Sequence, residues 1–347
     1  MRGAALLLVV IGCDRPPSAG AWTEVEVAEA VGVDFWDVSV TGDRAVAVGE
    51  YETGQGAARV IDGDAWAVID APELPGFHDV FAAAPDDAWA ASSDATASPL
   101  WRWDGTSWSS VELPEGLLSV RDVWGTGPDD VWIAAGFDGG VADRARALHW
   151  DGSALTEYRD FFEVAGLVDD GLTSLLLTAG CSRTVSDAWL VGNVSGKLVE
   201  QGISFHFDGE EWRAHPVFEP RDVVCLETDT WFLLADGSGV GRWQRGLWET
   251  SFRIEQDGGP HPARVASVDG AAGTLWAVGD EGTTREARSP QVWRLDDGTM
   301  GRTVVGAATR ESPEVALPLL RALYETPTGT VRALGADGLV LESAGAP

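Results

Sequence analysis

The histidines and the paired aspartates are the residues of this sequence whose spacing could support metal or acid–base chemistry. Of the five histidines, His149 and His206 each stand just before an aromatic-Asp-Gly triplet, and a shared packing or hairpin role explains that repetition. The Asp pairs at 86–87 and 129–130 also recur, and they fit turns. Calcium would need about six oxygens around one point, which only the stretch 138–143 approaches. We therefore expect neither a metal nor a cofactor.

Motifs of nucleophilic or phosphate chemistry are absent from the sequence. It contains no Gly-x-Ser-x-Gly elbow, no phosphate-binding glycine loop and no His-Glu-x-x-His zinc motif. A sialidase-like site would need converging arginines and a tyrosine activated by a carboxylate. None of Tyr51, Tyr158 and Tyr324 lies in a recognisable motif. The sequence thus disfavours catalysis.

An apolar segment near the N-terminus ends at Cys13. Ala4 to Ile11 is an unbroken apolar run that is too short to cross a bilayer as a helix. Val10-Ile11-Gly12-Cys13 resembles the lipobox of bacterial lipoproteins, in which the cysteine is acylated and becomes the mature N-terminus. The resemblance implies a signal peptide over 1–12, a tether over 13–21, and a lipid-anchored protein on the periplasmic or surface side of the cell envelope. An ordinary signal peptide with an unmodified cysteine is the alternative.

Composition narrows the class of protein and of partner. Lys plus Arg number 24 against 55 Asp plus Glu, and 24 − 55 = −31, a charge that repels phosphate backbones. Nucleic acid is therefore not an expected partner. The 347 residues include 17 Trp, 42 Gly and 17 Pro, which favours many turns and an all-β fold.

One sequence unit is repeated seven times. The clearest copy runs from Asp122 to Trp132 and continues with Leu148 to Gly152. Equivalent positions in the seven copies are separated by 43, 43, 57, 42, 45 and 56 residues; they are Val46, Trp89, Trp132, Trp189, Trp231, Trp276 and Arg332. Such periods indicate a solenoid or a propeller.

Each unit reads as a four-stranded antiparallel sheet. Asp130 to Ala135 is an apolar strand entered through a Gly-Pro-Asp-Asp turn. Asp-Gly pairs begin at Asp62, Asp104, Asp151 and Asp208 and favour a tight type I′ hairpin turn. All seventeen Trp fall on predicted strands.

The two chain ends predict how the sheets are arranged. The seventh copy stops after its third strand, Leu339 to Glu342, and Trp22 to Val27 has the pattern of the missing fourth strand. An N-terminal strand that completes the last sheet closes a ring without an exposed edge. We therefore predict a seven-bladed β-propeller over 22–343 with a tail at 344–347. The repeats resemble those of bacterial Trp-rich seven-bladed propellers and, more distantly, kelch repeats, which implies a fold and not an activity.

The alternating direction of the strands predicts which face of such a propeller binds a partner. In an up-and-down four-stranded sheet, the connections between second and third strands and those between blades emerge on the same face. The insertions Phe137 to Ala147, Asn193 to Ile203 and Asp280 to Pro290 join second to third strands, and Leu155 to Ser174 and Arg302 to Leu319 connect blades. All five would project from one face. Recognition commonly uses variable loops on a rigid scaffold, and aromatic and Arg side chains carry interface energy. The candidate anchors are Tyr158, Arg159, Phe161 and Phe162, although Phe161 and Phe162 could instead pin the loop to the ring.

We therefore expect a monomeric binding or scaffolding domain whose partner is an envelope protein or a glycan. A carbohydrate-active hydrolase or lyase with its site at the central channel is the alternative. Cys181 and Cys225 lie at the ends of the first strands of the fourth and fifth copies, where they could form a disulfide or remain two buried thiols. Cys13 would be unavailable for pairing if acylated.

Overall fold

The computed structural model confirms a seven-bladed β-propeller built almost entirely of antiparallel strands. It describes residues 22–70, 74–92, 98–136, 145–167, 172–196, 200–215, 220–234, 239–244, 247–253, 264–271, 274–284, 287–296, 299–303, 310–311 and 320–343. Cys13, the signal segment and the tether therefore lie outside the described residues.

The seven sheets follow one another along the chain, with the first strand of each innermost. Blade 1 has strands Val33–Thr41, Arg44–Tyr51, Gly56–Asp62 and Ala65–Val68; blade 2 has Phe77–Ala84, Asp87–Ser92, Leu100–Trp103 and Trp108–Ser110. Blade 3 has Ser119–Gly127, Asp130–Gly136, Arg146–Trp150 and Leu155–Tyr158; blade 4 has Leu172–Thr184, Asp187–Gly196, Glu200–Phe207 and Trp212–His215. Blade 5 has Pro220–Cys225, Thr230–Leu234, Gly239–Gln244 and Leu247–Arg253. Blade 6 has Arg264–Ala271, Thr274–Thr284, Ala287–Asp296 and Thr299–Thr303, with Arg310–Glu311 as a fifth strand beside the third.

Blade 7 closes the ring as the sequence predicts. Its strands are Leu320–Glu325, Val331–Gly335, Val340–Ser343 and the N-terminal Trp22–Glu24. Trp22 pairs with Ser343, and its indole packs edge-on against Trp276 of blade 6 at 6.0 Å. Trp212 of blade 4 makes the same kind of contact with Trp132 of blade 3, at 5.3 Å. The N-terminal strand therefore repeats an ordinary contact between blades.

Three short helical segments complete the described chain: the 3-10 turns Ala28–Ala30 and Ala336–Gly338 and the α-helical turn Phe161–Val164. Within the described ranges, no helix has the length and apolar character needed to cross a membrane. All seventeen Trp lie in strands, as predicted. The cores are sandwiched between neighbouring sheets, where apolar residues of adjacent blades share clusters.

The Asp-Gly turns are tight, but the type I′ prediction is wrong. Only the glycine has a positive φ, for example 59° at Gly63 and 88° at Gly105; the residues after them, Asp64 and Thr106, do not. A positive φ at the first central position alone fits a type II′ turn. The aspartate instead sits before the turn, where the Asp104 carboxylate accepts the backbone N–H of Thr106 at 2.9 Å.

Two predicted loop insertions are largely strand extensions. In blade 4 the second and third strands pair as far as Ser195 with Glu200, and in blade 6 they pair as far as Thr284 with Ala287. The insertion in blade 3 falls mostly outside the described residues. Leu155–Tyr158, predicted as the start of a connection, is the fourth strand of blade 3. These segments were misassigned because their ladder hydrogen bonds lie beyond the repeated core of the unit.

Candidate binding face and central channel

The propeller has two unlike faces. We call the side with the second-to-third turns and the blade connections the loop face, and the side with the first-to-second and third-to-fourth turns the turn face. The turn face is built from short connections such as Gly42–Asp43 and Pro128–Asp129. The loop face carries the extended hairpin of blade 4 and the helical turn Phe161–Val164.

The predicted anchors do not all lie on the surface. Phe161 is 1% and Phe162 is 7% exposed, and both belong to the apolar cluster between blades 3 and 4. Phe161 packs edge-on against Phe205 at 5.0 Å. These two side chains pin the connection to the ring. Because they are buried, the prediction that they anchor a partner is wrong. Tyr158 is half-buried against Trp132 at 5.5 Å.

Arg159 is exposed but already paired. Its guanidinium contacts the Glu157 carboxylate at 2.5 Å, and this hydrogen bond raises the pKa of Arg159. A charge that is matched within its own blade contributes less to recognising an external anion. Arg159 is therefore exposed, but its charge is already paired with Glu157.

Apolar side chains remain exposed on the loop face around blades 3 and 4. Leu118, before the first strand of blade 3, is 51% exposed, and Leu176, in the first strand of blade 4, is 39% exposed. Leu176 lies between Leu175 and Leu177, which are buried with the Phe161 cluster. The strand alternates, so Leu176 points away from that cluster. Solvent-exposed leucines at this end of the ring are available for contact.

A bulge recurs near the loop-face end of every first strand and defines the rim of the channel. At each bulge one residue is skipped in the pairing; the skipped residues are Trp36, His78, Arg121, Thr178, Arg221, Ala266 and Arg321. A bulge turns its extra residue out of the ladder. In blades 1 to 5 and 7 the rim therefore presents a side chain that strand pairing does not use.

Rim side chains reach forward over the next blade. The guanidinium of Arg221 donates to the Val265 carbonyl of blade 6 at 3.2 Å. Arg321 lies 3.6 Å from the ring centroid of Trp36 in blade 1 and is 5% exposed, and burial lowers its pKa. Arg121 and Arg221 are exposed.

Below the rim, four aspartates link one blade to the next. They directly follow the bulges in blades 1, 2, 3 and 5: Asp37, Asp79, Asp122 and Asp222. Their carboxyls accept the backbone N–H groups of the following blade: Asp37 from Val80 at 2.9 Å, Asp79 from Val123 at 2.5 Å, Asp122 from Gly180, and Asp222 from Val268 at 3.2 Å. These bonds satisfy buried donors that no ladder serves.

The first three of these carboxyls have raised pKa values. Burial raises the pKa of Asp37 to about 6 and that of Asp122 to about 7. Burial and the charges of its two neighbours raise the pKa of Asp79 well above its usual value. We call Asp37, Asp79 and Asp122 the channel carboxyls.

The channel opens on the turn face into a cavity of about 580 Å³. Its wall is formed where the first strands end: Val38, Ser39, Val40, Gly42, Gly125, Cys225, Asp269, Tyr324, Glu325, Thr326 and Pro327.

Cys225 is bonded to Cys181 of blade 4, so a disulfide joins two neighbouring inner strands. From the sequence alone, a disulfide between Cys181 and Cys225 and two buried free thiols were equal alternatives.

The recurring Asp-x-Trp motif has a structural role that turn propensity does not explain. In blade 3, His149 stacks on Trp132 at 4.2 Å while its Nε2 donates to Asp130 at 2.7 Å. In blade 2, Arg102 lies 4.9 Å from the Trp89 centroid and pairs with the second Asp of that copy. Asp and Trp two residues apart share one face of the strand, so a cation or imidazole from the next strand fits over both.

Blade 4 repeats the arrangement with His206, Asp187 and Trp189. The hydrogen bond from His206, with the help of Arg183, lowers the pKa of Asp187 to about 2 despite partial burial. Both histidines thus have the packing role that the sequence indicated. Within the described part of the chain, no group of three or more His, Cys, Asp or Glu is placed to hold a metal.

Tyr51 belongs to a buried network that sequence reasoning missed. Its hydroxyl donates to Asp70 at 2.6 Å and accepts from Arg59, itself 2% exposed, at 2.7 Å. Arg59 also donates to the Glu29 carbonyl at 2.6 Å. Burial and the Asp70 hydrogen bond raise the pKa of the Tyr51 phenol, which keeps it protonated. The network braces blade 1 and does not supply a phenolate nucleophile.

Similarity to known proteins is found by comparison of structures and not by comparison of sequences. Neither the protein-family models nor the curated proteins give a match. The solved structure of YCF48 bound to D1 peptide is similar, with a TM-score of 0.59 at 13% identity over 95% of this chain and 99% of that chain. The WD40 β-propeller domain of Doa1 is also similar, with a TM-score of 0.56 at 11% identity over 92% and 94% of the two chains. At these identities the likeness concerns the propeller fold.

Proposed function

We propose that this chain is an exported, lipid-anchored propeller that binds a peptide or protein partner on its loop face. The observation that carries the proposal is the asymmetry of the two faces. The turn face consists of short turns, whereas the loop face has an extended hairpin and a helical turn. That a solved propeller of similar fold is bound to a peptide supports this class of ligand.

The point where the chain enters the propeller supports an orientation at the membrane. Trp22 pairs with Ser343, the last residue of a third strand, and third strands end at the turn face. Nine positions separate Trp22 from Cys13, a length of at most about 30 Å when extended. An acylated Cys13 would therefore hold the turn face toward the membrane and leave the loop face toward the compartment.

Site-specific crosslinking in cells tests the binding face. A photoreactive amino acid at Leu176 on the loop face should give a crosslinked product of defined mass. Val185 is the matched control, because it is 57% exposed and lies in the turn-face hairpin of the same blade. Products from Val185, with none from Leu176, would contradict the proposal.

The anchor has its own test. Mass spectrometry of the mature chain should find an acylated N-terminal cysteine at position 13, and Cys13→Ser should release the protein from the membrane fraction. An unmodified Cys13, or cleavage elsewhere, would remove the anchor and leave the binding face to be judged by crosslinking alone.

The alternative, a carbohydrate-active enzyme, would use the channel carboxyls. Their raised pKa values suit a general acid, and this observation favours the alternative. Against it, each carboxyl accepts a hydrogen bond from the next blade, which occupies it structurally. Turnover of polysaccharide by the purified chain, abolished by Asp79→Asn with the fold intact, would establish the enzyme instead.

A further inference from the structure

Two arginines at the channel rim lack the partner that other arginines of this protein have. Described arginines with a carboxylate within 4.0 Å are Arg44, Arg59, Arg102, Arg146, Arg159, Arg183, Arg213, Arg242, Arg321 and Arg332. Arg121 and Arg221 form no such ion pair with any described residue. In a chain of net charge −31, two exposed guanidiniums without a carboxylate are unusual.

The two arginines occupy equivalent positions on either side of blade 4. Arg121 is the bulge residue of blade 3 and Arg221 that of blade 5. Between them stands Thr178 of blade 4, whose hydroxyl lies 3.3 Å from the Arg221 carbonyl. Successive first strands pack side by side, so these residues form a continuous arc of the rim. The arc offers two guanidiniums, one on each side of Thr178.

Apolar surface flanks this arc. Leu118 is three residues before Arg121, and Leu176 is two residues before Thr178; both are exposed. We call these five residues, Leu118, Arg121, Leu176, Thr178 and Arg221, the rim site. Guanidinium groups bind carboxylates through paired hydrogen bonds. Exposed leucines can pack against apolar side chains of a bound segment, which removes both from water.

We propose that the rim site binds a peptide segment that carries a carboxylate next to apolar side chains. This inference deepens the proposed function by naming the partner's chemistry, and it rests on that function. The remaining acidic surface repels an anionic segment, so the rim site offers a local charge of the opposite sign. Such complementarity supports specificity and association rate. The carboxylate could be a chain terminus or an Asp or Glu side chain.

A peptide selection on the full chain tests the inference. The probe is a pool of randomised octapeptides with free C-termini, and retained peptides are resynthesised, labelled and titrated by fluorescence anisotropy. We expect them to combine a carboxylate with apolar residues. Amidated versions identify a terminal carboxylate, and Asp-to-Asn or Glu-to-Gln versions identify a side chain; one of the two changes should weaken binding at least tenfold.

Protein variants separate the inference from the wider proposal. The double variant Arg121→Glu/Arg221→Glu should weaken binding at least tenfold, whereas Arg213→Glu, at an exposed arginine near the turn face, should change it less than twofold. An unchanged unfolding midpoint of the double variant verifies its fold, as expected for Arg121 and Arg221, whose exposed side chains form no ion pairs within the described part of the chain. If the double variant binds the peptide normally but the variant Leu176→Asp does not, the proposed recognition of a carboxylate is wrong and the loop face remains the binding surface. If both the double variant and Leu176→Asp bind normally, the inference is overturned. If no peptide is retained, the inference is also overturned, and crosslinking at Leu176 then decides whether the loop face binds a partner.

Discussion

Replacing Asp122 by Asn should flatten the pH dependence of stability between pH 4 and pH 8. Below about pH 4 this carboxyl is protonated in both the folded and the unfolded chain. Between its ordinary pKa of 3.8 and its folded pKa of about 7, only the unfolded chain releases the proton. Unfolding is therefore increasingly favoured as pH rises, and the stability present at low pH is lost by about pH 7.

The magnitude follows from the size of the pKa shift. One unit of pKa corresponds to about 1.4 kcal/mol, so a shift from 3.8 to about 7 corresponds to about 4 kcal/mol. Because the negative charges of neighbouring channel carboxyls repel each other, we assign a loss of about 4 kcal/mol to the set of three rather than to each. Asp122→Asn, which keeps an oxygen to accept the Gly180 N–H, should remove about a third of that loss, ~1.3 kcal/mol.

Urea unfolding followed by tryptophan fluorescence at pH 4, 6 and 8 gives the required free energies. The difference between the Asn variant and the wild type isolates Asp122, because repulsion from the net negative charge is nearly common to both. Asp151→Asn is the control: hydrogen bonds from Ser153 and Ala154 lower the pKa of Asp151 to about 2, so its effect belongs below pH 4. Parallel pH curves for Asp122→Asn and the wild type would show that the raised pKa of Asp122 does not govern the pH dependence of stability.

Three further changes test the packing of the ring. Trp22→Ala should lower the free energy of unfolding by about 3–5 kcal/mol, since Trp22 is 1% exposed in the closing strand; a loss below 1 kcal/mol in urea titrations would show that closure is weak. Phe161→Ala should cost about 3 kcal/mol and speed hydrogen exchange at the start of blade 4, whereas unchanged exchange would mean that the helical turn is not pinned. Replacing Cys181 and Cys225 by Ser should cost about 4 kcal/mol, given their separation of 44 residues, and an unchanged unfolding midpoint in non-reducing urea would contradict a stabilising bridge.

The repeated parts of the fold were predictable because seven copies of one pattern constrain each other. Trp132 and its equivalents fixed the blades, and the unmatched pattern beginning at Trp22 predicted the closing strand. Local exceptions were not predictable in this way. Leu155 lacks the tryptophan that starts several other fourth strands, and the burial of Phe161 depends on the extended hairpin against which it packs.

The channel and the rim left a weaker signal in the sequence. Asp-Val recurs at residues 37–38, 79–80, 122–123 and 222–223, and a repeated acid within apolar strands indicates a buried structural carboxyl. The rim site was missed because a bulge decides which residue leaves the ladder, and bulges follow from pairing with the second strand. Arg121 and Arg221 therefore resemble ordinary surface residues until that register is known.

Hydrogen–deuterium exchange of the full chain, with and without a retained peptide, tests most directly whether the loop face is the working surface. Slower exchange is expected at the loop-face ends of the first strands of blades 3, 4 and 5, around residues 119–121, 176–178 and 220–221. No change is expected at the turn-face residues 324–327, which line the channel cavity. Protection confined to 324–327 would instead place the ligand on the turn face and show that the loop face is not the binding surface.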